Sequence, residues 1–116
     1  MRAEGRIDPA IMAVVRSFLA ELARRVRLRE AYLFGSTARG ERLEESDVDL
    51  VVVADEFEGM PLSERIRCVY LLWPLEELSA DIIPLGPREF ERKRERSVVL
   101  RDASRYWIRV WPREQR

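Results

Sequence analysis

Two aspartates stand one residue apart at the mouth of an apolar run, Asp47-Val48-Asp49-Leu50-Val51-Val52-Val53, and this pairing limits what the chain can be. The run reads as a strand, and an acidic pair at its entrance does not favour folding by itself. Side chains alternate along a strand, so Asp47 and Asp49 point one way while Val48 and Leu50 point the other. At about 3.3 Å per residue their Cα atoms are roughly 6.6 Å apart, near enough for both carboxylates to meet one ion or bridge two. Like charges that close repel unless a cation lies between them. Mg²⁺ suits the place, since it takes oxygen ligands from one or two carboxylates together with substrate phosphates.

A third acid lies downstream in Ser79-Ala80-Asp81-Ile82-Ile83-Pro84-Leu85, a second short apolar strand with one carboxylate near its start. If the two strands are neighbours, Asp81 reaches the same place, to complete a metal shell or to take the proton of an attacking hydroxyl. Upstream, Ala31-Tyr32-Leu33-Phe34 reads as a strand that ends in Gly35, where the backbone can approach a ligand closely. Ser36 is set to cap a short helix or to bind phosphate with its hydroxyl. Free N–H groups at such a helix start favour an anion, and Arg39 one turn on adds a charged fork. No P-loop is present: Gly-x-x-x-x-Gly-Lys-[Ser/Thr] does not occur, and the only lysine is Lys93.

Gly35-Ser36, ten intervening residues, Asp47-x-Asp49 and then Asp81 on a later strand make a pattern that resembles the nucleotidyltransferases of the DNA polymerase beta type. It is similar in particular to their small stand-alone members, the minimal nucleotidyltransferases, from about Tyr32 to Leu85, with flanking helices that also fit. The resemblance implies an α/β fold, palm-like, with a mixed sheet of about four strands flanked by helices. It implies transfer of a nucleoside monophosphate, AMP from ATP foremost, to an acceptor hydroxyl, with pyrophosphate leaving. Gly35 and Ser36 would then hold the β- and γ-phosphates. Asp47 and Asp49 would bind two Mg²⁺ ions, and Asp81 would bind the catalytic metal and help to deprotonate the acceptor. Minimal nucleotidyltransferases are often paired with a HEPN-type partner, a helical RNase toxin that some of them silence by adding AMP to a tyrosine. An antitoxin is therefore the sharpest reading.

At 116 residues the chain is long enough for one domain with a real core and too short for two, so residues 1–116 read as a single nucleotidyltransferase domain. Polymerases and drug-modifying enzymes of this type need further domains to position template or drug. With 21 basic and 21 acidic residues, no global field draws the protein to nucleic acid or membrane. Arg88 to Arg96 is broken by Glu89, Glu91 and Glu95 and reads as a solvated helix face with i,i+4 pairs rather than an RNA patch.

The sequence has no histidine and one cysteine, which removes Ser-His-Asp and Cys-His catalysis, His-containing zinc sites and an intrachain disulfide. Cys68 reads as a small packing residue in a helix. No signal peptide precedes the first helix and no apolar run nears membrane-spanning length, so the expectation is a soluble cytoplasmic protein.

The scaffold begins with Asp8-Pro9, an N-cap and first helical residue. Ile11, Val14, Val15, Phe18, Leu19, Leu22 and Val26 then recur at helical spacing. Glu58-Gly59-Met60-Pro61 breaks the chain, and Ile66, Val69, Tyr70 and Trp73 mark a second helix that Pro74 ends. Pro87 starts a third helix around Phe90, Ser97 caps a short fourth, and a last strand runs near Tyr106 to Trp111. In that strand Ile108 and Val110 share one face while Trp107, Arg109 and Trp111 share the other. The Trp face is either covered within the fold or meets a partner.

Each site residue alone has a plainer reading. Gly35-Ser36 is an ordinary strand-to-helix turn, Asp47 a cap, Arg39 a counter-charge for Glu41 or Glu44, and Asp81 a strand cap or an arginine's partner. Asp49 resists this, since it interrupts an apolar stretch and is costly unless paired or metal-bound. Two functional classes remain: an active Mg²⁺-dependent enzyme, or a catalytically silent module that neutralises its partner by contact. Three retained carboxylates favour the enzyme, because a pure binder has no physical need of a repulsive acidic cluster.

Overall fold

The computed structural model describes residues 7–35, 38, 47–74 and 77–112. Its first helix, α1, spans Pro9–Arg25: Asp8 Oδ1 accepts from the Ala10 amide at 2.8 Å and Pro9 occupies the first turn. Ile11, Met12, Val15, Phe18, Leu19 and Leu22 form its buried stripe. Burying each of the larger ones favours folding by about 1.5–3 kcal/mol. Arg24 and Arg25 close the last turn, where cations oppose the helix dipole, and both reach Glu21.

Four strands follow the alternation expected: β1 Leu28–Phe34, β2 Val48–Ala54, β3 Ala80–Leu85 and β4 Ile108–Trp111. A 3₁₀ turn over Asp55–Phe57 and helix α2, Leu62–Leu72, connect β2 to β3; α3, Pro87–Arg96, and α4, Val98–Ala103, connect β3 to β4. The sheet order is β3-β2-β1-β4, with β1 antiparallel to both β2 and β4 and β2 parallel to β3. This is the mixed four-stranded sheet flanked by helices that the sequence implied. Both faces of β2 are covered: apart from Asp49, every residue of the strand is fully buried.

Alternation divides the core into two layers. Val48, Leu50, Val52 and Ala54 pack with α1 and with Val69 of α2, where Phe18 meets Trp73 edge to face at 5.4 Å between ring centroids. Val51, Val53 and Phe34 pack on the other face with Leu85, Phe90 and the α4 residues Leu100 and Ala103. There Tyr32 stacks on Trp107 at 4.2 Å, and Arg94 lies over the Phe90 and Trp107 rings.

The last strand begins at Ile108 rather than near Tyr106, and Trp107 just before it and Trp111 at its end are both packed within the fold. A register shift between Ala31 and Tyr32 lets them serve opposite layers: Trp107 joins the second, while Trp111 packs on the first and donates to the Leu28 carbonyl at 3.2 Å. The second helix also differs from its periodicity, since Ile66 and Tyr70 are exposed and Arg65 is buried instead. Arg65 donates to Met60 and Pro84 carbonyls and pairs with Glu89 at 2.6 Å, joining α2, β3 and α3. Glu58 finishes the start of α3 by accepting from the Arg88 amide at 2.9 Å. The remaining charges of α3 face solvent and pair locally, Lys93 with Glu89 and Arg94 with Glu91, as its spacing predicted.

Candidate active site

The register of three strands assembles the acidic edge. Phe34, the last residue of β1, pairs with Asp49 near the start of β2, and Asp49 pairs with Asp81 near the start of β3. Partners in a ladder point to the same face, so Asp49 and Asp81 emerge side by side on the Phe34 face of the sheet. The ladder continues one residue back, where the Val48 amide donates to the Ser79 carbonyl at 2.9 Å. Asp47 immediately precedes it and is exposed, as is Asp81, whereas Asp49 is half-buried.

Gly35 closes the other side. Its φ of 67° lies in the left-handed region that glycine adopts without strain. A Cβ placed there would overlap Oδ2 of Asp49 and lie 3.1 Å from its Cγ. Gly35 therefore serves both the turn and the close approach of the Asp49 carboxylate. Ser36 and Arg39, the expected phosphate contacts, lie outside the described residues.

Among the described residues no group of three or more acidic, histidine or cysteine side chains stands close enough to hold a metal ion. The three aspartates share an edge by register, but their carboxylates do not converge as a ready cluster. They still fit Mg²⁺ in kind: all are oxygen donors, two are exposed, and the third lies against a glycine.

Beside Gly35 opens a cavity of about 410 Å³ that the sequence did not announce. It is lined by Phe34 and Gly35 from the end of β1 and by Val98, Val99, Asp102 and Tyr106 from α4 and the turn after it. The spacing of Val99, Leu100 and Ala103 pointed to a short helix, and of these Leu100 and Ala103 are buried. That spacing did not show that Val98 and Val99, 79% and 59% exposed, would face an opening next to the acids. A second cavity of about 480 Å³ adjoins it through Val98 and Asp102 and carries Arg94, Arg101 and Arg105.

Away from this edge, burial raises the Cys68 thiol above its ordinary value, as befits a packing residue. Tyr32 is pushed up to about 12, first by burial and then by its hydrogen bond to Glu30. No helix among the described residues is long and apolar enough to cross a membrane.

The mixed four-stranded sheet flanked by helices is the architecture of a nucleotidyltransferase, an enzyme that transfers nucleotidyl groups. The chain belongs to the nucleotidyltransferase domain family, which its residues 15–106 match. Two Methanocaldococcus jannaschii proteins, each named as a candidate protein adenylyltransferase, are similar to it. One is 34% and the other 32% identical over 73 residues, or 63% of this chain, and the aligned stretches span 73% and 72% of the two relatives. Among solved structures, a candidate nucleotidyltransferase of Sulfolobus solfataricus superposes with a TM-score of 0.66 at 26% identity, over 90% of this chain and 82% of that one. A chain of a toxin–antitoxin crystallised with AMP-PNP superposes with a TM-score of 0.57 at 23% identity, over 81% and 70% of the two chains, a likeness of fold.

Proposed function

We propose that this nucleotidyltransferase moves AMP from ATP to a hydroxyl on a protein, a tyrosine of a HEPN-type toxin, and so acts in the cytoplasm as an antitoxin. The observation that supports this reading is the Phe34–Asp49–Asp81 register with Gly35 against the Asp49 carboxylate, a glycine turn next to two neighbouring acids. The names of the two archaeal relatives and the toxin–antitoxin neighbour support the acceptor class.

In the reaction an acceptor oxygen attacks the α-phosphorus, the bond from that phosphorus to the bridging oxygen of the β-phosphate breaks, and pyrophosphate departs. Asp47, Asp49 and Asp81 would hold Mg²⁺, which neutralises triphosphate charge and lowers the pKa of a bound hydroxyl. Asp81 is assigned the acceptor's proton, because it is the exposed acid on the outermost strand. Gly35, with Ser36 and Arg39, receives the β- and γ-phosphates. The cavity beside Gly35, with Phe34 and Val99 in its lining, is assigned to the base.

The test is calorimetric titration of ATP into the purified chain with Mg²⁺ and then with EDTA, followed by α-labelled ATP and the product of the adjacent reading frame. Metal-dependent binding and label on the partner are expected, both absent in the Asp47→Asn, Asp49→Asn double variant. Undiminished protection of cells by that variant would move the contact-only antitoxin to the front.

A further inference from the structure

Tyr70 stands outside this site, yet its hydroxyl is fastened to the strand that carries Asp81. It accepts from the Ile82 amide at 2.8 Å and donates to the Ala80 carbonyl at 3.2 Å. Among the described residues β3 is an edge strand, with β2 on one side and no strand on the other. Backbone groups of residues i and i+2 point to the same side of a strand, so the Ala80 carbonyl and the Ile82 amide both face outward. Those of Asp81 face β2, where Asp49 is the partner. One hydroxyl, being donor and acceptor together, therefore stands in for a missing strand on both flanks of Asp81.

Tyr70 reaches the edge from α2, whose other face is fixed in the core by Val69 and by the Arg65–Glu89 pair. An unpaired edge is prone to fray or to accept a foreign strand. Further along the same edge Pro84 has no amide and its carbonyl accepts from Arg65 at 3.2 Å, so the Ala80–Ile82 pair beside Asp81 is the part of the edge that Tyr70 holds.

We infer that Tyr70 is a positioning residue for Asp81: through the backbone on either side it holds the carboxylate level with Asp49, in the pose in which the two acids share a divalent cation. The inference rests on the proposed role of Asp81. It assigns a function to the hydroxyl as distinct from the aromatic ring.

The test compares the full-length chain with Tyr70→Phe and Asp81→Asn, using Mn²⁺ in the presence of a non-hydrolysable ATP analogue as the metal probe. Tyr70→Phe keeps the ring and removes one oxygen, so its melting temperature should fall by less than about 4 °C. Hydrogen exchange at the Ile82 amide should accelerate. Mn²⁺ affinity should weaken about tenfold, and kcat for transfer should fall while KM for ATP stays the same. Asp81→Asn should lose both Mn²⁺ affinity and transfer. Wild-type Mn²⁺ affinity and kcat in Tyr70→Phe, beside a defective Asp81→Asn, would overturn the positioning role and leave the proposed function standing. An Asp81→Asn variant that binds Mn²⁺ and transfers at the wild-type level would overturn both.

Discussion

Gly35 and Asp49 occupy one another's space: the carboxylate Oδ2 of Asp49 fills the volume that a side chain on residue 35 would need. The glycine thus does more than turn the chain at a φ of 67°. Gly35→Ala should destabilise the fold by about 1–2 kcal/mol through its left-handed backbone alone. It should also push Asp49 aside, so Mg²⁺-dependent ATP binding should weaken by more than the stability loss accounts for. Urea denaturation and calorimetry on one preparation separate the two effects.

Charge removal at the acids should act on chemistry rather than folding. Asp49→Asn keeps the shape of the half-buried side chain, and transfer should drop by about 10²–10³-fold, the scale of losing one preorganised electrostatic contact. Circular dichroism should be unchanged. A variant retaining more than a tenth of wild-type transfer would remove Asp49 from the reaction.

The cavity wall offers a separate handle on the nucleotide. Val99 is 59% exposed, so Val99→Trp should be nearly neutral for the melting temperature while filling space between α4 and Phe34. ATP affinity should fall at least about tenfold, as expected when a ligand's apolar surface is denied its pocket. Unchanged affinity would place the base elsewhere.

Arg65 carries a structural load. Its guanidinium is buried and answers to Glu89 and two carbonyls, so Arg65→Ala strips Glu89 of its nearest cation and leaves unsatisfied acceptors between α2 and α3. A loss of about 3–5 kcal/mol is expected by chemical denaturation. Replacing Arg65 and Glu89 together with apolar residues of similar volume should recover much of it.

Alkaline pH should find Tyr32. Its folded pKa of about 12 lies above the ordinary value of 10.0, so the protonated phenol contributes stability that is fully present below pH 10 and is lost as pH rises toward 12. Ultraviolet titration should show one phenol ionising late, and Tyr32→Phe should abolish that step.

The sequence by itself determined the parts. Short apolar runs marked β2 and β3, helical spacing marked α1 and Pro87 marked the start of α3, because these are local signals that each element writes along its own length. Gly35, Asp47, Asp49 and Asp81 stood out for a related reason: a charge in an apolar run is conspicuous without a partner in view. The tertiary structure alone decided which residues meet. The Asp49–Asp81 pairing depends on parallel register between strands separated by a whole helix, and no local pattern records register. Burial of Arg65 in place of Ile66, the two-sided use of Trp107 and Trp111, the Val98–Val99 opening and the Tyr70 clamp on the β3 edge likewise arise from contacts across the fold. A side chain's period tells which way it points from its own element; what stands there is set by the packing of all the others.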